Sequence, residues 1–238
     1  MKSSTNITTG MILAAGFGTR LQPITLNKPK ALVEVGSVPI LLRIIEQFKA
    51  LGINNIIINT HYLAEQIEQF VQNIQDVEIL LSYEPIILDT GGGILHAMDK
   101  FNVDTILAVN CDCLLLADNI NPLSQLADNW DAQKMEILLL LQNKKSVPIL
   151  PAKGDFNLSK EGKIIRAKGD RNFIFPGAYV VNRSFFKGFN AEAPFSITKI
   201  LFKSDAGQYP YYGIENRYEW IDIGSPQALE IAQKMVIS

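Results

Sequence analysis

The chain has 238 residues, of which 47% are hydrophobic and 19% are charged, so it has enough apolar side chains to bury one large core. Its formal net charge of −2 excludes the broadly basic surface that binds nucleic acid or acidic membranes. It contains neither an apolar run near the roughly 20 residues of a membrane span nor a secretory signal at its polar N-terminus, so we expect a cytoplasmic protein.

Short apolar runs rich in β-branched residues alternate with segments of helical period, which is typical of βαβ units around a mainly parallel sheet. We predict an α/β fold, with a Rossmann-like sheet flanked by helices. The predicted strands are Met11–Ala15, Asn55–Asn59, Val77–Ser82, Thr105–Val109 and Glu136–Leu141. The predicted helices are Pro39–Leu51, Leu63–Asn73, Gly92–Asp99, Pro122–Trp130 and Pro226–Val236. Each of the first four helices should cross over to the next parallel strand.

The order of the elements becomes irregular from about residue 144 to residue 206. Four glycines, Gly154, Gly162, Gly169 and Gly177, separate short strand-like pieces there. This pattern predicts a small inserted lobe within a single domain that covers residues 1–238. The chain ends soon after residue 222, so we expect no additional β-helical domain at the C-terminus.

The first predicted strand runs into a small-residue loop, Leu13–Arg20, at the edge where a parallel sheet normally binds its ligand. Glycines in such a loop let backbone N–H groups approach phosphate oxygens. A Rossmann dinucleotide loop would need a third glycine where Leu21 stands, and a Walker loop would need Gly-Lys-Ser/Thr, which is absent. An ordinary turn stays possible, but Arg20, Lys28 and Lys30 follow at once, and three cations suit a triphosphate.

A second glycine segment, Leu88–Gly93, has the sequence Leu-Asp-Thr-Gly-Gly-Gly and lies between a predicted strand and a predicted helix. Its glycines could let backbone groups approach a ligand at the start of that helix. Taken alone, the segment could equally be a flexible turn.

Two aspartates, Asp112 and Asp222, follow apolar runs that are far apart in the chain. Carboxylates brought together from distant strand ends suit Mg²⁺ that also binds phosphate oxygens and water. A single aspartate at a strand end is more often a helix cap or a turn residue. The two cysteines, Cys111 and Cys113, form neither a disulfide framework nor a zinc ligand set, and we expect packed, reduced thiols.

The segment Gly16–Val33 resembles the opening of the sugar-1-phosphate nucleotidyltransferases, whose pattern is G-x-G-x-R-(M/L)-x-P-(L/I)-T followed by P-K and a short apolar stretch. Val109–Asp112 is similar to the V-N-G-D of that family, and Trp220–Ser225 is similar to its W-(V/I)-D-(V/I)-G-(T/S). The likeness extends from Met11 to the final helix. It implies the nucleotide-diphospho-sugar transferase fold, with a nucleoside triphosphate, a sugar 1-phosphate and Mg²⁺ as binding partners.

The resemblance also implies a role for individual residues. The implied nucleotide-binding residues are Ala14, Ala15, Gly16, Gly18, Thr19, Arg20, Lys30, Thr90, Gly91 and Gly92. The residues implied to bind the sugar phosphate are Asn110, Asp155 and Gly177, and the implied metal ligands are Asp112 and Asp222. Arg20, Lys30 and Asp112 are implied to be catalytic.

The form of the second glycine segment resembles the L-(D/E)-T-G-G-G of the N-acetylmuramate-1-phosphate uridylyltransferases, which favours UTP. The alternatives are a guanylyltransferase for mannose or heptose 1-phosphate, a cytidylyltransferase for a small phosphorylated alcohol, and an inactive nucleotide-sensing subunit. Three positions depart from the family pattern: Cys111 replaces a glycine, Gln22 replaces a basic residue, and Ala31 replaces a proline. His61 and His96 fit no hydrolase motif, and we expect surface or packing roles for both.

Overall fold

A computed structural model describes residues 7–147, 153–166, 169–203 and 209–237. The strands are β1 Thr9–Leu13, β2 Glu34–Val35, β3 Val38–Pro39, β4 Asn55–Thr60, β5 Glu78–Tyr83, β6 Thr105–Asn110, β7 Cys113–Leu116, β8 Ile137–Asn143, β9 Asn157–Leu158, β10 Ile164–Ile165, β11 Phe173–Ile174, β12 Ala178–Asn182, β13 Tyr211–Glu215 and β14 Glu219–Asp222. The α-helices are α1 Ile40–Ala50, α2 Ala64–Val71, α3 Asp89–Phe101, α4 Ser124–Asn129, α5 Ile197–Lys203 and α6 Pro226–Ile237. The end of the predicted lobe, residues 204–206, lies outside the described residues.

The main sheet has the strand order β5-β4-β1-β6-β12-β8, and β8 also pairs with β11 and β13. The neighbours among β5, β4, β1 and β6 are parallel, as are β8 and β13. Strand β12 is antiparallel to both of its neighbours. The predicted α/β fold with a mainly parallel sheet and flanking helices is therefore confirmed.

The predicted crossover from β6 through α4 reaches a parallel strand, but that strand is not the neighbour of β6. The helix α4 leads to β8, but β8 does not pair with β6, because β12 lies between them. The first four residues of β12, Ala178–Val181, are apolar and buried, and Asn182 is half-buried. The strand therefore has apolar side chains on both faces of the sheet. Part of the window from 144 to 206 thus belongs to the main sheet.

The core lies on both faces of this sheet, because side chains along a strand alternate in direction. On one face, Ile12 and Ile58 pack in the cluster that also contains buried residues of α1, α2, α4 and α6. On the other face, Met11 and Ile57 pack in the cluster that contains buried residues of α3 and α5. This three-layer arrangement leaves the carboxyl ends of the parallel strands free to build a site.

Two element boundaries differ from the sequence prediction in ways that affect the site. Strand β1 ends at Leu13, so Ala14 and Ala15 belong to the loop. Helix α3 begins at Asp89 rather than at Gly92, so the three glycines lie inside its first turns. Glycine is a poor helix former, but these glycines are buried, and packing against neighbouring residues outweighs the propensity.

The C-terminal part of the chain returns to the strand that follows β6. Strand β14 pairs antiparallel with β7 and places Asp222 opposite Cys113, and the N–H of Ile223 donates to the carbonyl of Asp112 at 2.9 Å. Helix α6 then begins at Pro226, as predicted. In the described ranges, no helix has the length and apolar character to cross a membrane.

Candidate active site

A cavity of about 310 Å³ opens at the carboxyl ends of β1, β4, β5 and β6. It is lined by Leu13, Ala15, Gly16, Gly18, Thr19, Arg20, Lys30, Asn59, Glu84, Ile87, Asp89, Thr90, Asn110, Cys111, Asp112 and Gly224. Nine of these are residues that the sequence assigned to the site, so the fold brings together segments that are far apart in the chain. A parallel sheet normally binds its ligand at this edge.

A larger depression of about 1640 Å³ lies elsewhere, between α4, the ends of β8 and β13, and α6. It contains none of the residues that the sequence assigned to the site. Its buried polar side chains are Gln142 and Asn216. The Asn216 Nδ2 donates a hydrogen bond to Gln142 Oε1 at 2.6 Å, and Asn216 Oδ1 accepts one from Gln125. These groups are satisfied by the protein itself, so we place the chemistry in the smaller cavity.

The glycine loop that follows β1 has one glycine that the fold requires and one that faces open space. Gly18 has φ of 63°, and a Cβ there would lie 3.0 Å from Thr25 and 3.2 Å from Lys30. The Thr25 hydroxyl donates to the Gly18 carbonyl at 2.8 Å. A Cβ on Gly16 would meet nothing within 4 Å. The loop therefore folds against Lys30 and leaves its Gly16 side open to the cavity.

Two cations and two aspartates converge beside this loop. The Lys30 Nζ donates to Asp112 Oδ2 at 2.7 Å, and the Lys30 side chain is only 10% exposed. The more exposed Arg20 lies 3.9 Å from Asp112 and 3.5 Å from Asp222 through its guanidinium nitrogens. A Cβ on Gly224 would lie 2.7 Å from that guanidinium, so glycine there allows Arg20 to approach.

The Asp222 carboxylate is half-buried beside Arg20 and Asp112. Burial raises its pKa, and the charge of Asp112 raises it further. Its Oδ1 atom is buried and has no hydrogen-bond partner among the described residues. No group of three or more His, Cys, Asp or Glu residues in the described ranges could hold a metal ion. A hard cation at Asp112 and Asp222 would therefore complete its shell with phosphate oxygens and water.

Cys111, where the family pattern has glycine, is buried, and its backbone N–H donates to the Leu13 carbonyl at 3.1 Å. Burial, and after it the charge of Asp112, raises the pKa of its thiol to about 12. Cys113 is also a free, buried thiol. At neutral pH the Cys111 thiol is thus neutral and a poor nucleophile.

The Asn110 side chain is set in place by Gly177. This glycine has φ of 95°, and a Cβ there would lie 2.4 Å from the Asn110 Nδ2 atom. The Asn110 N–H donates to the Gly177 carbonyl at 2.8 Å. The Asn110 Oδ1 atom is buried and lacks a partner within the part of the chain that the structure describes. The space beside Gly177 therefore holds the Asn110 carboxamide, whose oxygen is free to accept a hydrogen bond.

Asp155 does not line the cavity, but its oxygen Oδ2 accepts a hydrogen bond from the N–H of Phe175 at 2.9 Å. Burial raises the pKa of its carboxyl group, and the bond from Phe175 partly opposes that rise. Since Phe175 lies two residues before Gly177, this short segment links Asp155 to Asn110.

The second glycine segment packs mainly against protein. The N–H groups of Gly91 and Gly92 donate to the Phe195 carbonyl at 2.9 Å and 3.1 Å. A Cβ on Gly91 would lie 2.4 Å from the Phe195 ring, and one on Gly92 would lie 2.7 Å from the Ala193 carbonyl. Neither glycine lines the cavity, whereas Thr90 does. The structure therefore places Thr90 at the cavity and puts Gly91 and Gly92 behind it.

The cavity residues that the sequence did not assign to the site include Asn59 at the end of β4 and Glu84 just after β5. Both lie at carboxyl ends of parallel strands, and that position is the signal that could have identified them. His61 has a packing role: its Nδ1 lies 2.7 Å from the Glu84 carbonyl, and its ring meets the Phe17 ring edge-on at 5.6 Å.

An open glycine loop, two cations and two aspartates at the carboxyl edge of a parallel sheet define an α/β site for a phosphorylated nucleotide. The family comparison agrees. The chain belongs to the nucleotidyl transferase family, whose model matches residues 9–238, and within it to the sugar-1-phosphate nucleotidyltransferases.

Relatives with different substrates resemble the chain over nearly its whole length. It is 29% identical to the N-acetylmuramate alpha-1-phosphate uridylyltransferase of Caulobacter vibrioides, over 92% of each chain. It is 27% identical to the D-glycero-alpha-D-manno-heptose 1-phosphate guanylyltransferase of Aneurinibacillus thermoaerophilus, over 94% of this chain and 96% of the relative. The fold matches the inositol-1-phosphate CTP transferase of T. maritima with a TM-score of 0.78, at 15% identity over 99% of this chain and 97% of that one.

Proposed function

We propose that the chain joins UTP to N-acetylmuramate 1-phosphate in a Mg²⁺-dependent reaction, which yields a uridine diphosphate sugar and pyrophosphate. The observation that carries this proposal is the convergence of Arg20 and Lys30 on Asp112 and Asp222, beside the open side of Gly16. A cytoplasmic location, where nucleoside triphosphates are available, belongs to the same proposal.

The reaction is an in-line displacement at phosphorus. A phosphate oxygen of the sugar 1-phosphate forms a bond to the α-phosphorus of UTP, and the bond from that phosphorus to the pyrophosphate oxygen breaks. The attacking phosphate is already ionised at neutral pH, so the reaction needs neither a protein nucleophile nor a histidine base. Two anions must approach each other, and catalysis therefore comes from positioning and from the positive charges of Arg20 and Lys30.

The nucleotide phosphates are proposed to bind the loop from Ala14 to Arg20. Ala15, the exposed Gly16 and Gly18 line the cavity, and Lys30 packs against Gly18. Thr90 is proposed to contact the nucleoside from the opposite wall. Gly91 and Gly92 support Thr90 through their bonds to the Phe195 carbonyl.

Asp112 and Asp222 are proposed to hold the Mg²⁺ ion. The unpartnered Oδ1 atom of Asp222 fits a cation ligand, and two carboxylates suit an ion that takes its other ligands from phosphate and water. Bound there, the ion would supply positive charge to the phosphates. Lys30 already neutralises one oxygen of Asp112, and Arg20 lies between the two carboxylates.

The sugar phosphate is proposed to bind beside Asn110, whose side-chain oxygen is unpartnered among the described residues. Asp155 is proposed to contact the sugar from the lobe, and Gly177 contributes by making room for Asn110. The lobe around β9, β10 and β11 would then be the sugar-binding part of one single domain.

UTP is favoured by the Leu-Asp-Thr-Gly-Gly-Gly segment and by the similarity to the uridylyltransferase of Caulobacter vibrioides. A guanylyltransferase is the second candidate, because the heptose enzyme is similar over almost the same length. A pocket that hydrogen-bonds one base rejects another by leaving polar groups unpaired, so the discrimination can be large.

The test is a matrix of the common nucleoside triphosphates against a panel of sugar 1-phosphates, with pyrophosphate release as the measurement. We expect UTP with N-acetylmuramate 1-phosphate to give the highest kcat/KM and purine nucleotides to be poor substrates. A higher kcat/KM for GTP than for UTP across the panel would overturn the uridylyl assignment. Failure of every pair to release pyrophosphate would instead favour the nucleotide-sensing alternative.

A further inference from the structure

We propose that Asn59 and Glu84 are positioning residues, which hold the two walls of the nucleotide cavity together through one chain of buried hydrogen bonds. This inference rests on the proposed nucleotide site. It concerns two side chains that no sequence motif singled out, and it explains the third glycine of the second glycine segment.

The chain of hydrogen bonds runs from the glycine loop to the start of α3. The N–H of Ala14 donates to Asn59 Oδ1 at 2.7 Å. The Asn59 Nδ2 donates to Glu84 Oε1 at 2.8 Å, and Glu84 Oε2 accepts from the N–H of Leu88 at 2.9 Å. Each step has the geometry of a normal hydrogen bond. The end of β1 and the entry to α3 are therefore connected by two side chains.

Both side chains are inaccessible to solvent, since Glu84 is 0% exposed and Asn59 is 3% exposed. No salt bridge to Glu84 occurs in the described ranges. A buried carboxylate without a cation is costly unless hydrogen bonds satisfy its oxygens. Both Glu84 oxygens accept such bonds from the protein. Glu84 therefore serves the architecture of the cavity wall, and loss of either bond would leave a buried polar group unpaired.

Gly93 completes the arrangement. A Cβ on this residue would lie 2.6 Å from Glu84 Oε1 and 3.0 Å from Asn59 Nδ2, which are the two atoms that bond to each other. Only glycine leaves room for this pair in the second turn of α3. Gly93 thus accommodates the hydrogen-bond chain while Gly91 and Gly92 accommodate the segment at Phe195.

The two anchored amides lie next to the residues that face the nucleotide. Ala14 comes two residues before the open Gly16, and Leu88 comes two residues before Thr90. If the chain of bonds breaks, the walls can shift relative to each other, and the triphosphate meets a site that is no longer preorganised. The sugar phosphate, beside Asn110, should be affected much less.

The test exchanges the two functional groups. In Glu84→Gln, one acceptor oxygen is replaced by an NH₂ group, so the side chain can accept a hydrogen bond from Asn59 Nδ2 or from Leu88 N–H but not from both in the parent geometry. In Asn59→Asp, a second buried carboxylate faces Glu84. The double variant Asn59→Asp with Glu84→Gln restores every bond, because the new glutamine donates to the new aspartate and accepts from the Leu88 N–H. The new aspartate in turn accepts from the Ala14 N–H, and the number of buried carboxylates is unchanged.

We expect each single variant to raise the KM for the triphosphate by roughly tenfold, as loss of about 1.4 kcal/mol implies. The KM for the sugar phosphate should change less than about threefold. In the double variant, the KM for the triphosphate should return most of the way to the value of the parent. Glu46→Gln is the matched control, because Glu46 is exposed on α1 and bonds only to Lys49 among the described residues. Single variants with an unchanged triphosphate KM, or no recovery in the double variant, would overturn the proposal.

A measurement without substrate separates this inference from the proposed function. Amide hydrogen exchange at Ala14 and Leu88 should accelerate in each single variant and recover in the double variant. Unchanged exchange at both amides in the single variants overturns the positioning role, whatever the substrate is. Changed and recovered exchange, in a protein that turns over no nucleotide, would instead leave the hydrogen-bond chain intact and remove the proposed reaction.

Discussion

Gly16 in the loop after β1 and the three glycines at the start of α3 have opposite surroundings. A Cβ on Gly16 would meet nothing within 4 Å. Cβ atoms on Gly91, Gly92 and Gly93 would each lie within 2.7 Å of another part of the protein. Glycine at a ligand edge thus has two distinct uses, since it can leave space for a ligand or let the chain pack against itself. Only the surroundings distinguish them.

This difference predicts where substitutions change chemistry and where they change stability. Changes beside the open loop should reduce turnover far more than they lower the melting temperature. Changes at the start of α3 should do the reverse. The measurements below test that division, starting with the largest expected effect.

The two aspartates beside the open loop should give the largest loss of activity. We expect Asp112→Asn and Asp222→Asn each to lower kcat/KM by about 10³, roughly 4 kcal/mol, because each removes a proposed Mg²⁺ ligand. Pyrophosphate release at varied Mg²⁺ and circular dichroism are the measurements. Asp118→Asn, at an exposed position beyond β7, is the control. Near-normal turnover in either variant would remove that aspartate from the metal site.

Lys30→Ala should cause the next largest loss. Its Nζ lies 2.7 Å from Asp112 behind the loop, and its charge is proposed to act on the reacting phosphate. We expect kcat/KM to fall by about 10², roughly 2.7 kcal/mol. Lys49→Ala, which removes an exposed pair with Glu46, is the matched control. If kcat/KM for Lys30→Ala stayed within about threefold of the parent, roughly 0.65 kcal/mol, the charge role would be wrong.

Gly91→Ala should act on stability. The new methyl group would overlap the Phe195 ring, and overpacking of this kind costs about 1–3 kcal/mol of unfolding free energy. Thermal melting measures the effect, and kcat/KM of the folded protein should change less than about threefold. In a Phe195→Ala background the substitution should cost less, because the ring is gone. An unchanged melting temperature together with lost activity would show that this segment faces the ligand after all.

Gly16→Ala should have the smallest effect. The added methyl group clashes with no protein atom, so the melting temperature should stay within about 2 °C of the parent. We expect kcat/KM to fall by about tenfold, roughly 1.4 kcal/mol, because the methyl group enters the space proposed for the phosphates. The measurements are kcat/KM and the melting temperature, both made on the same preparation of the variant. Unaltered kinetics would move the phosphates away from Gly16.

Most of the strands that the sequence predicted well are buried on both faces, and β5, which is mostly half-buried, is the exception among the five. β8 begins with five consecutive apolar residues and β4 contains three, and such runs mark a central strand of a parallel sheet. The position of β12 could not be predicted in the same way. Its partners, β6 and β8, are chosen by register across the sheet, and no local pattern in Ala178–Asn182 encodes that choice.

The site shows the same limit. Motifs identified Arg20, Lys30 and Asp112, and the fold brings them together. Motifs did not identify Asn59 and Glu84, because a hydrogen bond between side chains on neighbouring strands has no signature along the chain. The roles implied for Gly91 and Gly92 depended on surroundings that only the folded segment at Phe195 supplies.

The pairing of β14 with β7 also has a consequence for the order in which the protein matures. During synthesis, the glycine loop, Lys30 and Asp112 are made well before Asp222, because β14 follows all the strands of the main sheet. A nascent chain can therefore collapse around its sheet while it carries only one of the two carboxylates. If Asp222 holds the proposed Mg²⁺, the chain becomes competent for catalysis only once β14 is made, after most of the core has had time to form.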